Sequence, residues 1–334
     1  MGLFSNKQYD IVCIGDIVTD AFIRIKDANV HCKLDKSACE LCVRFGDKVP
    51  FESQTIVRAV GNSANAAVSA SRLGLSTALI ATVGDDDEGK KCLEELKKNN
   101  VSTSYMSTDK KLPTNYHYVL WYDVERTILV NHSPFEKHLP SNFKAPKYLY
   151  LTSLGENTEN FHHEIATWLG AHPETKLVFQ PGTFQMKLGK EKLADIYQLS
   201  ELFFCNVEEA QRILGTQEAD KKTLMGMLAT LGPKIVVMTD GINGAYARDV
   251  DGTCYFMPVY PHDPYERTGA GDAFASTVMS ALALGKDLKT ALTWGPINSM
   301  SVVQKIGAQA GLLPRKELED YLSKAPEDYK LKTI

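Results

Sequence analysis

The sequence predicts an α/β fold, with a mostly parallel central sheet wrapped in helices and a small β-sheet lid, on three observations. Beyond Tyr148, apolar runs of strand length alternate with stretches of helical spacing, the pattern of a parallel sheet and its covering helices. The run Tyr9 to Gly15 (YDIVCIG) is short and apolar and ends in Gly, as a buried strand does. Residues 26–57 and 114–131 break this rhythm with short alternating pieces. They are expected to form the lid, leaving 1–25, 58–113 and 132–334 as one main α/β domain. A chain of 334 residues, 44% hydrophobic, has enough apolar material for such a core.

In chain order, Asp16 and Asp20 follow the first strand at its carboxyl end, where open α/β sheets bind ligands. Two carboxylates there suit sugar hydroxyls, Asp20 more than Asp16. Ala21 to Ile25 alternates as a second strand, and Leu41 to Phe45 and Val49 to Phe51 as pieces of the lid. Val60-Gly-Asn-Ser-Ala-Asn65 opens a helix through Leu73; Gly61 permits close approach, Asn62 is its N-cap and Asn65 lies about one turn inside. After a strand at Thr77 to Val83, residues 84–91 nearly spell a P-loop. Lys91 stands where Ser or Thr would hold magnesium, and three aspartates and Glu88 would repel phosphate. These acids cap the helix that runs to Asn99 instead. Tyr116 to Tyr122 alternates and is rich in aromatics, Glu125 to Thr127 turns, and Ile128 to Val130 returns, a hairpin. Strands follow at 148–152, 176–180, 202–205 and 235–239, with helices at 159–170, 191–199, 207–214 and 221–231. Helices at 297–305 and 316–323 finish the chain.

Net charge is −4 with no block of Lys or Arg, which argues against nucleic acid and anionic membrane as partners. No apolar run approaches a membrane span, and Met1 to Asp10 lacks the regions of a signal peptide, so the cytoplasm is the expected location. The seven cysteines read as buried, reduced thiols. His31, Cys32, Cys39 and Cys42 contain one C-x-x-C, but adjacent His31 and Cys32 seldom converge on one tetrahedral ion, which argues against zinc.

The chemistry concentrates at Glu266-Arg-Thr-Gly-Ala-Gly-Asp-Ala-Phe274. Gly269, Ala270 and Gly271 lead into an apolar run of helical spacing that stops at Gly285. Small residues at a helix N-terminus let an anion reach free backbone amides. Asp272 is then a carboxylate beside an anion site, where a general base for phosphoryl transfer belongs. Asn206 and Glu209, three residues apart, share a helical face and suit water held on Mg²⁺. Thr239, Gly241 and Gly244 follow a strand and offer a hydroxyl and glycines to a nucleotide; Gly307 to Pro314, after the helix of Asn298, suits an adenine wall.

Nearly the whole chain resembles the ribokinase-like (PfkB) carbohydrate kinase family, which implies a three-layer α/β/α sandwich. Thr268 to Phe274 matches the family's C-terminal signature and Asn206-Val-Glu-Glu209 its Asn-x-x-Glu motif. Val60 to Asn65 matches its N-terminal Gly-Gly-Asn-x-x-Asn signature with Val60 for the first Gly, and Gly15 to Asp20 the place of a sugar-binding Asp. The resemblance implies ATP-dependent transfer to a hydroxyl, often a primary CH₂OH. It makes Asp272 the base, and Gly269, Ala270 and Gly271 the anion hole. Asn206 and Glu209 organise Mg²⁺; Asp20 and Asn65, with Asp16 and Gly61, bind the acceptor; Thr239, Gly241, Gly244 and Asn298 lie near ATP. Potassium activation is left open by Glu266, which stands where members usually carry Asp.

A small sugar is the first acceptor reading. A nucleoside is the second, with Phe51, Tyr116, His117 and Trp121 available to stack on a base. A phosphosugar, met by Arg126 and Lys187, is the third; a catalytically silent ligand-binding relative is the reading from another class. A β lid of this kind is expected to pair with another copy's, giving a homodimer.

Overall fold

The computed structural model describes residues 8–32, 39–123, 125–263, 265 and 267–334. A ten-stranded sheet runs through the main domain in the order Lys332–Thr333, Cys254–Met257, Ala245–Arg248, Ile235–Thr239, Ser200–Asn206, Lys176–Phe179, Tyr148–Leu151, Ile11–Ile14, Thr77–Ile80, Val101–Ser102. From Ile235–Thr239 to Val101–Ser102 every ladder is parallel; the three strands at the other edge are antiparallel. Those three short strands were not anticipated, because half-polar pieces of four residues or fewer carry little periodic signal.

Ile11 and Cys13 belong to one core and Val12 and Ile14 to another. Alternate residues of a strand face opposite ways, so a strand covered on both sides reads as a continuous apolar run. Helices Asn62–Arg72, Ala270–Ala283, Leu288–Val302 and Arg315–Ser323 contribute to the first core. Glu159–Ala171, Ala194–Leu199, Val207–Leu214 and Lys221–Ala229 contribute to the second, completing three layers. Leu288–Val302 runs through Pro296, although a start at Ile297 was expected. Its burial holds it: Gly295 packs under the Phe274 ring, where a Cβ would come within 2.8 Å.

The lid is a four-stranded sheet in the order Glu125–Leu129, Tyr116–Tyr122, Val18–Ile25, Phe51–Val60. Val18–Ile25 therefore lies inside the lid sheet, not in the main sheet as the division at residue 25 had it. Period-two alternation marks a strand with one covered face; it does not say which sheet. The hairpin turn precedes Glu125, which pairs with Tyr122, and has Asp123 at φ 54°. A separate hairpin, Asn29–Cys32 with Cys39–Cys42, extends from the lid.

Cys32 and Cys39 face each other across that hairpin and form a disulfide, so the expectation of seven reduced thiols is corrected. Neither sulfur is left for zinc, and Cys42, three residues from Cys39, lies on the other face of the strand. Among the described residues no group of three or more His, Cys, Asp or Glu is placed to hold a metal, and no helix is long and apolar enough to cross a membrane.

Candidate active site

Where the lid overhangs the carboxyl ends of the parallel strands there is a cavity of ≈ 380 Å³. Asp20, Gly61, Asn65, Asn206, Glu209, Thr239 and Gly269 to Asp272 all line it, from segments far apart in the chain. The helix Ala270–Ala283 starts at its floor. Gly269 is the N-cap, left-handed at φ 81°, and a Cβ on it would lie 2.4 Å from the Ala308 Cβ. Only glycine fits there. The first helical bond runs from the Ala273 N–H to the Gly269 carbonyl (2.8 Å), so the amides of residues 270–272 have no partner within the helix. A Cβ added to Gly271 would meet nothing within 4 Å, leaving room in front of the loop.

Asp272 is held from two sides. Asn65 Nδ2 donates to Oδ2 (2.9 Å) and Gln180 Nε2 to Oδ1 (3.4 Å). Burial pushes its carboxyl up to about 6; the two amides pull the other way, and the nearby Glu209 charge adds to the rise. The buried Tyr150 hydroxyl donates to Gln180 Oε1 and fixes that side chain. Gln309, itself buried, donates Nε2–H to Asn65 Oδ1 (3.0 Å) and to the Ala59 carbonyl (2.7 Å), which orients Asn65 with its amide toward Asp272.

Beside Asn65, Gly61 (φ 103°) rather than Asn62 is the N-cap of Asn62–Arg72; a Cβ there would sit 2.6 Å from the Asp16 carbonyl. Ala59, at φ 54°, takes the other left-handed position of this turn, so Val60 is spared it. Asp20 reaches the cavity from the lid. Asp16 does not line it: its carboxylate turns away, pairing with Lys137 Nζ (2.5 Å) and accepting the Gly155 N–H (2.7 Å). Burial alone would raise Asp16, but His132 and Lys137 hold it below the usual carboxylate range.

Across the cavity, Asn206 and Glu209 form a reciprocal capping box for Val207–Leu214. Asn206 Oδ1 accepts the Glu209 N–H (2.8 Å) and Glu209 Oε2 accepts the Asn206 N–H (2.9 Å). Burial raises the Glu209 carboxyl, with Arg212 pulling it down. A desolvated carboxylate facing a cleft fits a cation such as magnesium, which takes few protein ligands directly. Gly241 and Gly244 are turn glycines outside the cavity lining. Asn298 is also elsewhere: fully buried, it donates to Thr277 Oγ1 (2.7 Å) and accepts the Leu313 N–H (2.9 Å), fastening the two long helices. Spacing alone cannot tell a polar residue on a core face from one facing a ligand.

The aromatic platform considered for a nucleoside is not assembled at the cavity. His117 lines it, but Trp121 is buried edge-on to Tyr265 (5.5 Å) under Arg24 (4.7 Å), and Phe51 is exposed away from it. Arg126 lines the cavity, whereas Lys187 sits over the Phe184 ring (5.2 Å). Glu266 lies outside the described residues. Gln180, Gln309, Arg267 and His132 were not anticipated as site residues. Two of them had a signal: Gln180 lies just past a strand's carboxyl end, and Arg267 lies within the loop leading to Gly269.

A model of the pfkB family carbohydrate kinases matches residues 10–316. The Bacillus subtilis ribokinase is 26% identical over 310 residues, covering 87% of this chain and 99% of its own. The Bacillus licheniformis 5-dehydro-2-deoxygluconokinase is 25% identical over 348 residues, covering 95% and 97%. The solved Arabidopsis thaliana ribokinase complexed with ribose and ATP superposes with a TM-score of 0.78 at 17% identity, over 95% of this chain and 99% of that one.

Proposed function

We propose, from the premise that this chain belongs to the pfkB family of carbohydrate kinases, that it passes the terminal phosphoryl group of ATP to a primary hydroxyl of a small sugar. The observation that carries this is Asp272, an ionisable carboxylate on the cavity floor, clamped by Asn65 and Gln180 beside the open loop at Gly271. Asp272 takes the hydroxyl proton as the alcohol oxygen bonds to the terminal phosphorus, and the bond to the bridging oxygen breaks to release ADP. The amides of residues 270–272 receive the charge that builds on the transferring group. Asp20, Gly61 and Asn65 hold the acceptor, and Thr239 faces the nucleotide. Asn206 and Glu209 would hold Mg²⁺, which screens phosphate charge when bound.

The same reading places the protein in the cytoplasm, one compartment that supplies ATP. The lid pairs with a second copy's lid, and the protein acts as a homodimer. The test is ADP release with D-ribose, D-fructose, 5-dehydro-2-deoxygluconate and adenosine, comparing wild type with Asp272→Asn. Sugar-dependent turnover lost in the variant is the expected result; turnover with adenosine alone, or none with any acceptor, would overturn the sugar assignment.

A further inference from the structure

The two amides that clamp Asp272 differ in how firmly their own direction is set. Behind Asn65, Gln309 Nε2 bonds both the Ala59 carbonyl (2.7 Å) and Asn65 Oδ1 (3.0 Å). A carbonyl only accepts, so Gln309 must present N–H there, and Asn65 must turn its oxygen to Gln309. That leaves the Asn65 N–H for Asp272 Oδ2, at 2.9 Å, in either protonation state of the carboxyl. Oδ2 is therefore held as an acceptor, and the proton of a neutral Asp272 belongs on Oδ1.

Oδ1 meets Gln180 Nε2 at 3.4 Å, a long bond, and the far end of that amide, Oε1, accepts from the Tyr150 hydroxyl. No backbone group holds the Gln180 amide; these two contacts are its hydrogen bonds. A hydroxyl, unlike a carbonyl, donates or accepts. Tyr150 also keeps its proton. Burial raises its hydroxyl well above the usual tyrosine range, the Asp272 and Cys13 charges add to this, and Thr152 pulls the other way. Tyr150 can thus turn its O–H but not lose it, and Thr152 gives it somewhere to turn. Thr152 lies two residues on, so its side chain leaves the extended chain on the same side. Its Oγ1 is buried and has no hydrogen-bond partner, which is unfavourable unless a second arrangement uses it.

We propose that the Gln180 amide turns over with the protonation of Asp272, and that Gln180 and Tyr150 are positioning residues that serve the carboxyl in both states. With Asp272 ionised the order is the one observed: Tyr150 O–H to Gln180 Oε1, and Gln180 N–H to Asp272 Oδ1. Once Oδ1 holds the proton taken from the acceptor hydroxyl, the order reverses. Asp272 O–H donates to Gln180 Oε1, Gln180 N–H to the Tyr150 oxygen, and Tyr150 O–H to Thr152 Oγ1. One proton is transferred, from the sugar to Oδ1, and it passes to water when the product leaves; Gln180 and Tyr150 keep all of theirs. The transfer from the sugar rests on the kinase reading, whereas the reversal does not.

The other ionisable groups lining the cavity are Asp20, His117, Arg126, Cys205, Glu209 and Arg267. Of these, the Glu209 charge raises the Asp272 carboxyl. Glu209 is bonded to the Asn206 N–H, away from Gln180 and Tyr150, so it moves the pH of the reversal without taking part in it.

The reversal is read by infrared difference spectra of the ligand-free protein between about pH 5 and 7, either side of the Asp272 value of about 6. Ordinary tyrosines do not change charge in that range. A carboxylic C=O band absent in Asp272→Asn is expected, and with it a shift of one tyrosine C–O band. That tyrosine band should move on ring-¹³C labelling of tyrosine and be absent in Tyr150→Phe. Gln180→Met, which fills the space without hydrogen bonds, should keep the carboxyl band and lose the tyrosine shift; either variant suffices should the other fail to fold. A wild type with no Asp272 band, or with that band and no tyrosine shift, or a shift that survives Gln180→Met, would overturn the proposal. The link to transfer is read with whichever of D-ribose, D-fructose or 5-dehydro-2-deoxygluconate turns over. Tyr150 is fully buried and forms no part of the cavity wall. Tyr150→Phe should therefore lower kcat by roughly three- to tenfold, the scale of one hydrogen bond, and leave the Michaelis constant for the sugar unchanged. An unchanged kcat, with or without a raised constant, would overturn the link. Absence of turnover with every sugar would overturn the kinase reading and the link together, while the infrared shift still decides the reversal.

Discussion

Two amides and burial pull the ionisation of Asp272 in opposite directions, and burial wins, leaving it at about 6. A base must be ionised, so kcat/KM should climb as pH rises through about 6 and fall away below it. The Asn65 amide favours the ionised form, so Asn65→Leu should move that climb to higher pH; an unmoved pH profile would count against Asn65 as the controlling donor. The same shift bears on stability. The folded-state value lies above that of an ordinary aspartate, so the folded protein binds more protons than the unfolded one, and stability falls as pH rises from the ordinary aspartate range to about 6. Asp272→Asn removes that penalty. At pH 7 it should melt no lower than wild type while losing roughly 10²–10⁴ in kcat, the usual share of a general base. Asp272 was legible because its loop and helix are contiguous. Gln309 was not: it meets Asn65 across 244 positions of sequence, and no local pattern records that contact.

Glycines of the two signature turns have different jobs, which separates folding from chemistry at the scale of the element. Gly61 is left-handed at φ 103° and its would-be Cβ falls 2.6 Å from backbone. Gly61→Ala should cost about 1–3 kcal/mol from the backbone alone, read by urea unfolding. Gly271 sits inside the first turn of its helix with open space before it, so Gly271→Ala should unfold like wild type. On the proposed mechanism the added methyl would stand where the phosphoryl group approaches, so kcat should drop by tenfold or more, about the loss of one oxyanion contact or less. Equal effects on unfolding from both variants would refute this division. The elements themselves were readable wherever period and caps agreed: Tyr116–Tyr122, Val207–Leu214 and Ile235–Thr239 fall where the pattern puts them. Pattern failed at Asn62, because the cap position went to the glycine whose backbone the turn required. It failed again at Pro296, where packing against Phe274 outweighed one missing helical bond.

Across the whole molecule, the alternation of strands and helices revealed the layers, but the assignment of Val18–Ile25 depended on pairing with strands 26–42 and 97 residues away, which no window along the chain contains. That pairing gives the lid two unlike faces. Asp20, His117 and Arg126 look into the cavity, while Ile23, Ile56, Tyr118, Leu120 and Leu129 share the other side. Tyr118, Leu129 and Ile56 are 46%, 52% and 39% exposed, and Phe51 at the same sheet's edge is 57% exposed. An apolar sheet face of this extent is a surface to be covered. On the homodimer proposal, a second copy's lid laid face to face would cover it with its own equivalent and close the pair by a two-fold axis. Sedimentation of wild type at micromolar concentration should therefore give a dimer. Leu129→Glu places two carboxylates, one from each copy, in that contact; an unpaired buried charge is costly enough to leave monomer at the same concentration. The residue points away from the cavity, so the monomer should retain nucleotide binding. Its acceptor Michaelis constant should rise, because lid strands carrying Asp20 and His117 lose the partner sheet that braces them. A wild-type monomer, or a dimer that survives Leu129→Glu, would mean that this face is covered by something other than its own copy.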